Sequence, residues 1–378
     1  MLGRPLSGNL FIPMQPGPVN RILVVKWSAL GDVVIATALF EDIARSFPNA
    51  EIHLNTLPNC VGLFQHDPRF SEIWAIDVRS KRSRLRNSLA WLARSRAGRY
   101  DMVIDLQRTD HTRALIALWW MGGGAPRVRV GNLGGFPYTV QPRVLPRPTH
   151  AFDMMREAVR AVGVRPVTVR PVLYSGVAAK QRVQALFREH GLDDFAVLLP
   201  GSQAAGWLKR WGVENYRALA DLLHRTGVHR IAVIGGPDEV EDCQAIAEAG
   251  EYVVNLNGAL QLLDIPLVCA HARVVVGNDT GTAHFASASG RPMLIVCGAT
   301  DPRRVRPLGD SVRALQADLP CINCYGKDCS NHDYLACMRV LTPQRVFDEV
   351  IHLMEPSHPV PDRQAYRVFE QTGDPSAS

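Results

Sequence analysis

Short apolar runs alternate with helical patterns along most of the chain. The run at 22–25 is followed by a turn at Gly31 and by apolar residues at spacings of three and four, up to Pro48. This spacing predicts an amphipathic helix that the proline ends. Further strand-like runs lie at 52–54, 102–106, 197–199, 231–234, 274–276 and 294–297, and a second helical pattern covers 109–120. Strands that alternate with helices are typical of βαβ units on a parallel sheet, so we predict an α/β fold.

The chain is long enough for two domains. Residues 133–170 are rich in proline and arginine, and we predict loops and a crossover there. We therefore expect a flexible leader at 1–19, an N-terminal domain at 20–170, a C-terminal domain at 171–355 and a polar tail at 356–378. Tyr366, Val368 and Phe369 give that tail a short segment able to dock.

Four predicted strands of the C-terminal half each end in a loop of small residues. These loops cover 200–202, 235–237, 277–281 and 298–302. Ligands of open parallel sheets bind at the carboxyl ends of the strands. The pattern therefore predicts a ligand site formed by these loops.

The segment 277–284 carries the strongest local signal for phosphate binding. Asp279, Thr280 and Gly281 lead from a strand into a predicted helix at 282–289, with His284 in its first turn. Free backbone N–H groups at a helix start bind phosphate oxygens, and the helix dipole adds to the attraction. The alternative is a capped helix start with a core histidine.

Three further residues follow strand-end loops of the same half. Ser202 closes the loop at 200–202, and Lys209 offers a compact positive charge suited to a diphosphate. Glu239 follows the loop at 235–237, where a carboxylate can accept hydrogen bonds from a ribose. The alternatives are a solvated surface lysine and an ordinary carboxylate at a helix start.

The N-terminal half offers one candidate for acid–base chemistry. Asp32 follows Gly31 at the end of the first strand, and neither a G-x-G-x-x-G fingerprint nor a P-loop is present. A carboxylate at this edge of the sheet can act as a general base. It can equally cap the helix that follows.

Together these segments resemble glycosyltransferase family nine, the ADP-heptose heptosyltransferases of lipopolysaccharide core synthesis and their relatives. The resemblance covers roughly residues 21–350. Its motifs are Ile22-Leu23-Val24-Val25-Lys26, Ser28-Ala29-Leu30-Gly31-Asp32-Val33-Val34, Phe47-Pro48-Asn49-Ala50-Glu51-Ile52, Pro200-Gly201-Ser202, Lys209-Arg210-Trp211, Gly277-Asn278-Asp279-Thr280-Gly281 with His284, and Thr300-Asp301-Pro302.

The resemblance implies a GT-B architecture, in which two Rossmann-like domains with parallel sheets face each other across a cleft. It implies an inverting transfer of a heptose from ADP-heptose to a lipopolysaccharide-core or related glycan, with no cofactor required for catalysis. Asp32 would be the base, Lys209 would contact the diphosphate and Glu239 the ribose. Asp279, Thr280, Gly281 and His284 would hold the diphosphate. Two alternatives stay open: a protein or other acceptor, and a nucleotide-sugar-binding protein without turnover.

Composition limits the class of protein and its cellular location. The 378 residues are 47% hydrophobic and 21% charged, with a net charge of +6, which fits a well-buried globular protein that meets phosphates or anionic lipid. No apolar run approaches the length of a membrane span and no signal peptide is visible, so we expect a cytoplasmic protein. The arginines are not interleaved with aromatic residues, which argues against a nucleic-acid partner.

A cluster of basic residues precedes a helical stretch with leucines and a tryptophan. It comprises Arg79, Lys81, Arg82, Arg84 and Arg86. Each such cation adds about 1 kcal/mol near an anionic leaflet. We expect this surface to meet an anionic glycolipid or glycan acceptor, or to contact the cytoplasmic face of the inner membrane. The alternative is a solvated linker.

Four of the eight cysteines lie close together in the sequence. Cys321, Cys324, Cys329 and Cys337 have the spacing C-x₂-C-x₄-C-x₇-C. Four thiolates suit zinc or iron, and stable disulfides are uncommon in the cytoplasm, so we predict a structural metal site. Iron is favoured only by resemblance to some protein-modifying relatives. The alternative is four reduced, unligated thiols.

Overall fold

The computed structural model describes residues 18–132, 134–202, 204–355 and 366–370. The strands are β1 Arg21–Val25, β2 Glu51–Thr56, β3 Glu72–Ala75, β4 Met102–Asp105, β5 Val128–Gly131, β6 Phe195–Leu199, β7 Arg230–Val233, β8 Val253–Asn255, β9 Val275–Asn278, β10 Met293–Cys297, β11 Val312–Ala317 and β12 Tyr366–Glu370.

Helices connect nearly all of these strands. They are α1 Leu30–Ser46, α2 Arg84–Ala97, α3 Asp110–Met121, α4 Ala151–Ala161, α5 Val177–His190, α6 Val213–Arg225, α7 Val240–Ala247, α8 Ile265–Cys269, α9 Gly281–Ser287, α10 Pro302–Val305, α11 Ala336–Arg339 and α12 Pro343–Met354. Single 3₁₀ segments cover Pro58–Phe64, Ala204–Lys209 and Pro237–Glu239.

The strands form two separate sheets with the same winding. The first has the order β3-β2-β1-β4-β5, and the second has the order β12-β11-β10-β9-β6-β7-β8. Every pairing between named strands is parallel except the antiparallel pair β11–β12. Each sheet reverses its strand order at one point, between β1 and β4 and between β6 and β9. Such switch points leave a crevice at the carboxyl ends of the strands.

The predicted strands and the first two predicted helices are confirmed to within a few residues. Burial explains why: β1 and β6 are buried almost throughout, and α1 is buried on all sides from Val33 to Phe40. A strand that is buried on both faces has a continuous run of apolar residues. Such runs are easily recognised in this sequence.

The prediction of loops throughout 133–170 was wrong for 151–161, where the chain forms α4. Phe152, Met155 and Val159 point into the core at helical spacing, and His150 caps the helix by accepting a hydrogen bond from the Phe152 N–H at 3.1 Å. The helical spacing of these apolar residues is short, and the prolines and arginines on either side of it led to the prediction of loops. The leader lies almost wholly outside the described residues. Within the tail, β12 pairs with β11, and the rest is outside the described residues.

The two domains share one apolar core. Residues of α1 pack against α9 of the second domain, and buried side chains from both sheets join a single cluster. The connecting segment is fixed to α1 by hydrogen bonds: Thr168 Oγ1 donates to buried Asp42 Oδ1 at 2.7 Å, and Val172 N–H donates to Thr37 Oγ1 at 2.9 Å. The domains are therefore held at a defined relative orientation. In the described parts of the chain, no helix is both long and apolar enough to cross a membrane.

Candidate active site

A cleft of about 700 Å³ lies between the two domains, where both switch points face each other. Residues that follow β1 and β4 form one side of it, which we call the N-terminal wall. Residues that follow β6 and β9 form much of the other side, the C-terminal wall. The predicted site residues on these walls are Asp32, Lys209, Asp279, Thr280, Gly281 and His284. Each sheet places the loops at its switch point at the carboxyl ends of its strands. The carboxyl ends of the two sheets face each other, so residues far apart in sequence meet in the cleft.

On the N-terminal wall, Asp32 lies in the first turn of α1, and Ala29 occupies the cap position. The Asp32 side chain is half-buried, and it makes no hydrogen bond or ion pair with any residue that the structure describes. It therefore does not act as the helix cap. A carboxylate left unpaired at the edge of a cleft is available to accept a proton.

Gly31 allows the two walls to approach closely. A Cβ atom at this position would lie 2.6 Å from Cδ2 of His284, which belongs to α9 of the other domain. Any side chain here would push the buried histidine ring out of place. The glycine next to Asp32 is thus required by a contact between domains.

Behind Asp32 lie two buried groups of opposite charge. Lys26 follows β1, and its Nζ donates to the Ser28 carbonyl at 2.9 Å. Burial lowers the pKa of Lys26, while Asp32 and Asp105 act in the opposite direction. Burial raises the pKa of Asp105 to about 6, although Tyr138 Oη donates to it at 2.6 Å. Lys26 and Asp105 thus form the buried polar part of the N-terminal wall.

On the C-terminal wall, Lys209 and Asp279 form an ion pair. Lys209 Nζ lies 2.8 Å from Asp279 Oδ2, and Thr300 Oγ1 donates to the same oxygen at 2.9 Å. Asp279 is buried, whereas about a third of the Lys209 side chain remains exposed to the cleft. The aspartate therefore orients the lysine, and the lysine presents the positive charge. Thr280, in the same loop, occupies the N-cap position of the short helix α9, and its side chain makes no capping hydrogen bond to a described residue.

His284 is buried between the walls, and its Nδ1 has no hydrogen-bond partner among the described residues. Burial lowers its pKa, while Asp279 and Asp32 act in the opposite direction. A buried polar atom without a partner is costly and is commonly satisfied by a ligand or water. The predicted alternative of a satisfied core histidine does not fit this environment.

Two predicted binding residues lie behind the cleft lining. Ser202 is buried, and its Oγ donates to the Gly206 carbonyl at 2.7 Å, which shapes the loop before Lys209. Glu239 accepts a hydrogen bond from the Gly236 N–H and packs against Gly201. Burial raises the pKa of Glu239. Both residues stabilise strand-end loops, and neither lines the cleft.

Several lining residues carried no recognised signal in the sequence. They include Arg108, Asn132, Thr149, Arg304 and Tyr325. Arg108 stands just beyond β4, at the switch point, so the strand-end rule that singled out the second domain would have found it. Tyr325 comes from the cysteine-rich segment, and its Oη accepts a hydrogen bond from the Asp301 N–H at 3.1 Å. Nothing in its local sequence indicates that position.

The predicted basic surface is exposed and lines neither wall. All five cations are exposed, and Arg79 Nη1 donates to Ser28 Oγ at 2.8 Å. Leu85 and Leu89 are 76% and 59% exposed on the same helix α2, so the surface is both basic and apolar. It lies on the N-terminal domain beside the β1–α1 turn.

The four clustered cysteines line one small cavity of about 40 Å³ behind Lys209, next to Leu208. Asn331 Nδ2 donates to Cys321 Sγ at 3.1 Å, and the Leu335 N–H donates to Cys329 Sγ at 3.3 Å. Burial raises the pKa of Cys337 to about 11, and the other three cysteines add to this. The donor set suits zinc or iron. Across the described ranges, however, no three acidic, histidine or cysteine side chains are already arranged to hold a metal ion.

Comparison with known proteins agrees with this geometry. The model of glycosyltransferase family 9 (heptosyltransferase) matches residues 144–335, about half of the chain. The chain belongs to glycosyltransferase family 9. It is therefore a glycosyltransferase, and its two parallel-sheet domains with a shared cleft are the GT-B fold. Both were expected from the sequence and are confirmed.

Family 9 members resemble the chain along nearly their whole length. Lipooligosaccharide heptosyltransferase 2 of Haemophilus influenzae is 26% identical over 358 residues, which cover 88% of this chain and 99% of that protein. A family 9 glycosyltransferase structure from Veillonella parvula aligns with a TM-score of 0.76 at 20% identity, covering 89% and 98% of the two chains. The Escherichia coli heptosyltransferase WaaC with ADP aligns with a TM-score of 0.66 at 22% identity, covering 88% and 99%.

Proposed function

We propose that this glycosyltransferase transfers a heptose from ADP-heptose to a lipopolysaccharide-core or related glycan, with inversion at the anomeric carbon. One observation carries the proposal. One wall of the cleft has a carboxylate, Asp32, without a partner among the described residues, and the other wall has a pre-oriented cation, Lys209. The first group suits a hydroxyl nucleophile, and the second suits a diphosphate leaving group.

In this mechanism the acceptor hydroxyl attacks the anomeric carbon of the sugar. The bond between that carbon and the diphosphate oxygen breaks as the new glycosidic bond forms. Asp32 takes the proton of the hydroxyl, and ADP leaves with its charge stabilised by Lys209. His284 supplies a buried ring nitrogen between the two sites, suited to donate to a phosphate oxygen. No metal ion takes part in these steps.

The choice of donor and acceptor is supported by relatives. The Haemophilus protein is a lipooligosaccharide heptosyltransferase, and the WaaC structure carries ADP. The loops after β6, β7 and β9 in this chain provide the same kind of strand-end site. Ser202 and Glu239 are assigned to shaping that site, with Glu239 at the loop where a ribose would lie.

Binding of a panel of sugar nucleotides tests the donor. We expect calorimetry to give tighter binding of ADP-heptose than of UDP-glucose, and expect transfer from ADP-heptose to core oligosaccharide from a heptose-deficient strain. Inversion should give a product with the anomeric configuration opposite to that of the donor, which NMR of the product establishes. Tighter binding of the UDP-sugar would contradict the adenine assignment, and a product with retained configuration would contradict the mechanism.

We further propose that the basic surface with Leu85 and Leu89 rests on an anionic membrane face. Its support is the combination of five exposed cations with exposed leucines on α2. An amphipathic basic helix of this kind binds at the interface of a bilayer. The expected location is the cytoplasmic face of the inner membrane.

We also propose that Cys321, Cys324, Cys329 and Cys337 hold one structural zinc or iron ion. Its support is their shared cavity and the two N–H···S hydrogen bonds, which favour thiolate. Binding requires the thiol side chains to rotate toward one another. Elemental analysis should find about one ion per chain. Metal-free protein with four titratable native thiols beyond those in the core would refute the site.

A further inference from the structure

A second cavity of about 690 Å³ opens directly from the catalytic cleft. The two spaces share Arg108, Asn132, Thr149, Met154, Arg304 and Tyr325. Four of these six belong to the N-terminal domain, which also carries Asp32. A molecule bound in the second cavity can therefore extend into the cleft along the wall that holds the proposed base.

Arginines dominate this second cavity. Its lining contains Arg108, Arg143, Arg147, Arg303 and Arg304, and its single carboxylate is Asp301. Asp301 is already bound in two places by Arg303, with Nη2–Oδ2 at 2.8 Å and Nε–Oδ1 at 2.9 Å. The cavity therefore carries a strong net positive charge.

The other four arginines lack a carboxylate partner in the described parts of the chain. Arg143 and Arg147 are exposed and make no hydrogen bond or ion pair there. Arg304 lies over the Tyr325 ring at 5.3 Å, and Arg108 contacts Met154 Sδ at 2.9 Å. Such guanidinium groups bind carboxylate or phosphate through two parallel hydrogen bonds. Clustered in a concave site, they also concentrate anions.

We propose that this arginine-lined cavity binds the carboxylate or phosphate groups of the glycan acceptor. The proposal rests on the proposed function, because the cleft must hold the donor while the cavity holds the acceptor. Under this proposal the acceptor's anionic groups bind in the cavity and not at the basic surface at 79–86, which is exposed and lines neither cavity. It also uses both domains, since Arg143 and Arg147 lie on one and Arg303 and Arg304 on the other.

The test uses two simple anions as probes, inorganic tripolyphosphate and citrate, titrated by calorimetry into protein saturated with ADP. The variants are the double substitution Arg143→Gln/Arg147→Gln and, as a matched control, Arg82→Gln/Arg86→Gln. We expect wild type and control to bind at least one probe, and the Arg143/Arg147 variant to bind it at least about tenfold more weakly. The tighter probe indicates whether phosphate or carboxylate is preferred.

Two results would overturn the proposal. One is wild-type protein that binds neither probe, and the other is an Arg143/Arg147 variant that binds like wild type. ADP is titrated into the same proteins to keep the donor assignment separate. Unchanged ADP affinity in the variant, together with lost probe binding, supports both proposals. If ADP does not bind, while the loss of tripolyphosphate or citrate binding still follows Arg143 and Arg147, the anion site stands and the donor assignment falls.

A transfer assay gives a second readout. With core oligosaccharide as acceptor, the Arg143/Arg147 variant should raise the acceptor KM at least about tenfold and leave the ADP-heptose KM unchanged. A purely structural role would change both constants or the thermal stability. Equal acceptor KM values in variant and wild type would count against the site.

Discussion

The two walls of the cleft differ in whether their charged groups already have hydrogen-bond or ion-pair partners within the protein. On the C-terminal wall, Lys209, Asp279 and Thr300 bind one another, so the cation is fixed before any ligand arrives. On the N-terminal wall, Asp32 and the adjoining Arg143 and Arg147 have no hydrogen-bond or ion-pair partner among the residues that the structure describes. A fixed cation costs little reorganisation when a diphosphate departs, which favours a leaving-group site. A free carboxylate is suited to exchange protons with an incoming hydroxyl.

The largest expected effect comes from Asp32. Replacement by Asn should lower kcat by a factor of about 10² to 10⁴, because the acceptor hydroxyl loses its base. ADP-heptose affinity should change little, since the diphosphate lies against the opposite wall. The matched control is Asp110→Asn, a first-turn carboxylate of α3 in the same domain that does not line the cleft. Near-normal turnover of Asp32→Asn would remove Asp32 from the mechanism.

The next effect is on the free energy of unfolding, and it comes from Asp105, which is buried behind the N-terminal wall. Burial raises the pKa of Asp105 to about 6, whereas an unfolded aspartate titrates near ~3.9. The stabilising contribution of the protonated form is therefore complete below about pH 4 and is lost as the pH rises through about 6.

The variant Asp105→Asn lacks this dependence. Its free energy of unfolding should improve relative to wild type between pH 4 and pH 7, by up to about 3 kcal/mol. Urea unfolding at several pH values measures the difference. A difference that stays constant with pH would mean that Asp105 is already ionised in the folded protein at low pH.

A smaller effect is expected on the C-terminal wall. Lys209→Ala should weaken ADP binding by about ten- to a hundredfold, the range for a charge-assisted hydrogen bond. Asp279→Asn should also weaken it, by less, because the lysine loses its anchor but keeps its charge. Lys180→Ala, an exposed lysine on α5, serves as the control. Calorimetry with equal ADP affinity in all four proteins would show that the diphosphate binds elsewhere.

The smallest effect per residue is expected on the basic surface. Each cation contributes about 1 kcal/mol to binding an anionic leaflet. Arg82→Glu/Arg86→Glu should therefore reduce sedimentation with phosphatidylserine vesicles at least about tenfold, and Lys180→Glu/Arg188→Glu should not. Turnover on a deacylated, soluble acceptor should stay unchanged in both. Identical sedimentation of the two double variants would contradict a specific membrane surface.

The candidate site could be predicted only in part. Lys209, Asp279, Thr280, Gly281, His284 and Asp32 were all found from the sequence, because each follows a strand and strand ends converge. Arg143, Arg147 and Tyr325 were not found, because they lie in irregular segments without periodicity, and Arg304 was not found, because its helix α10 has only four residues. Donor binding by Ser202 and Glu239 stays a prediction; their side chains contact backbone groups behind the cleft lining.

The sequence by itself determined the alternation of buried strands and helices, and with it the parallel sheets and the edge at which ligands bind. Those features follow from local periodicity and from the geometry of βαβ units. Tertiary structure alone decided that Asp279 orients Lys209, that Gly31 touches His284 across the domains, and that arginines from both domains line one cavity. These contacts join residues far apart in the chain. The pairing of β6 with β9 brings the loops of Lys209 and Asp279 together, and the packing of α1 against α9 brings Gly31 to His284.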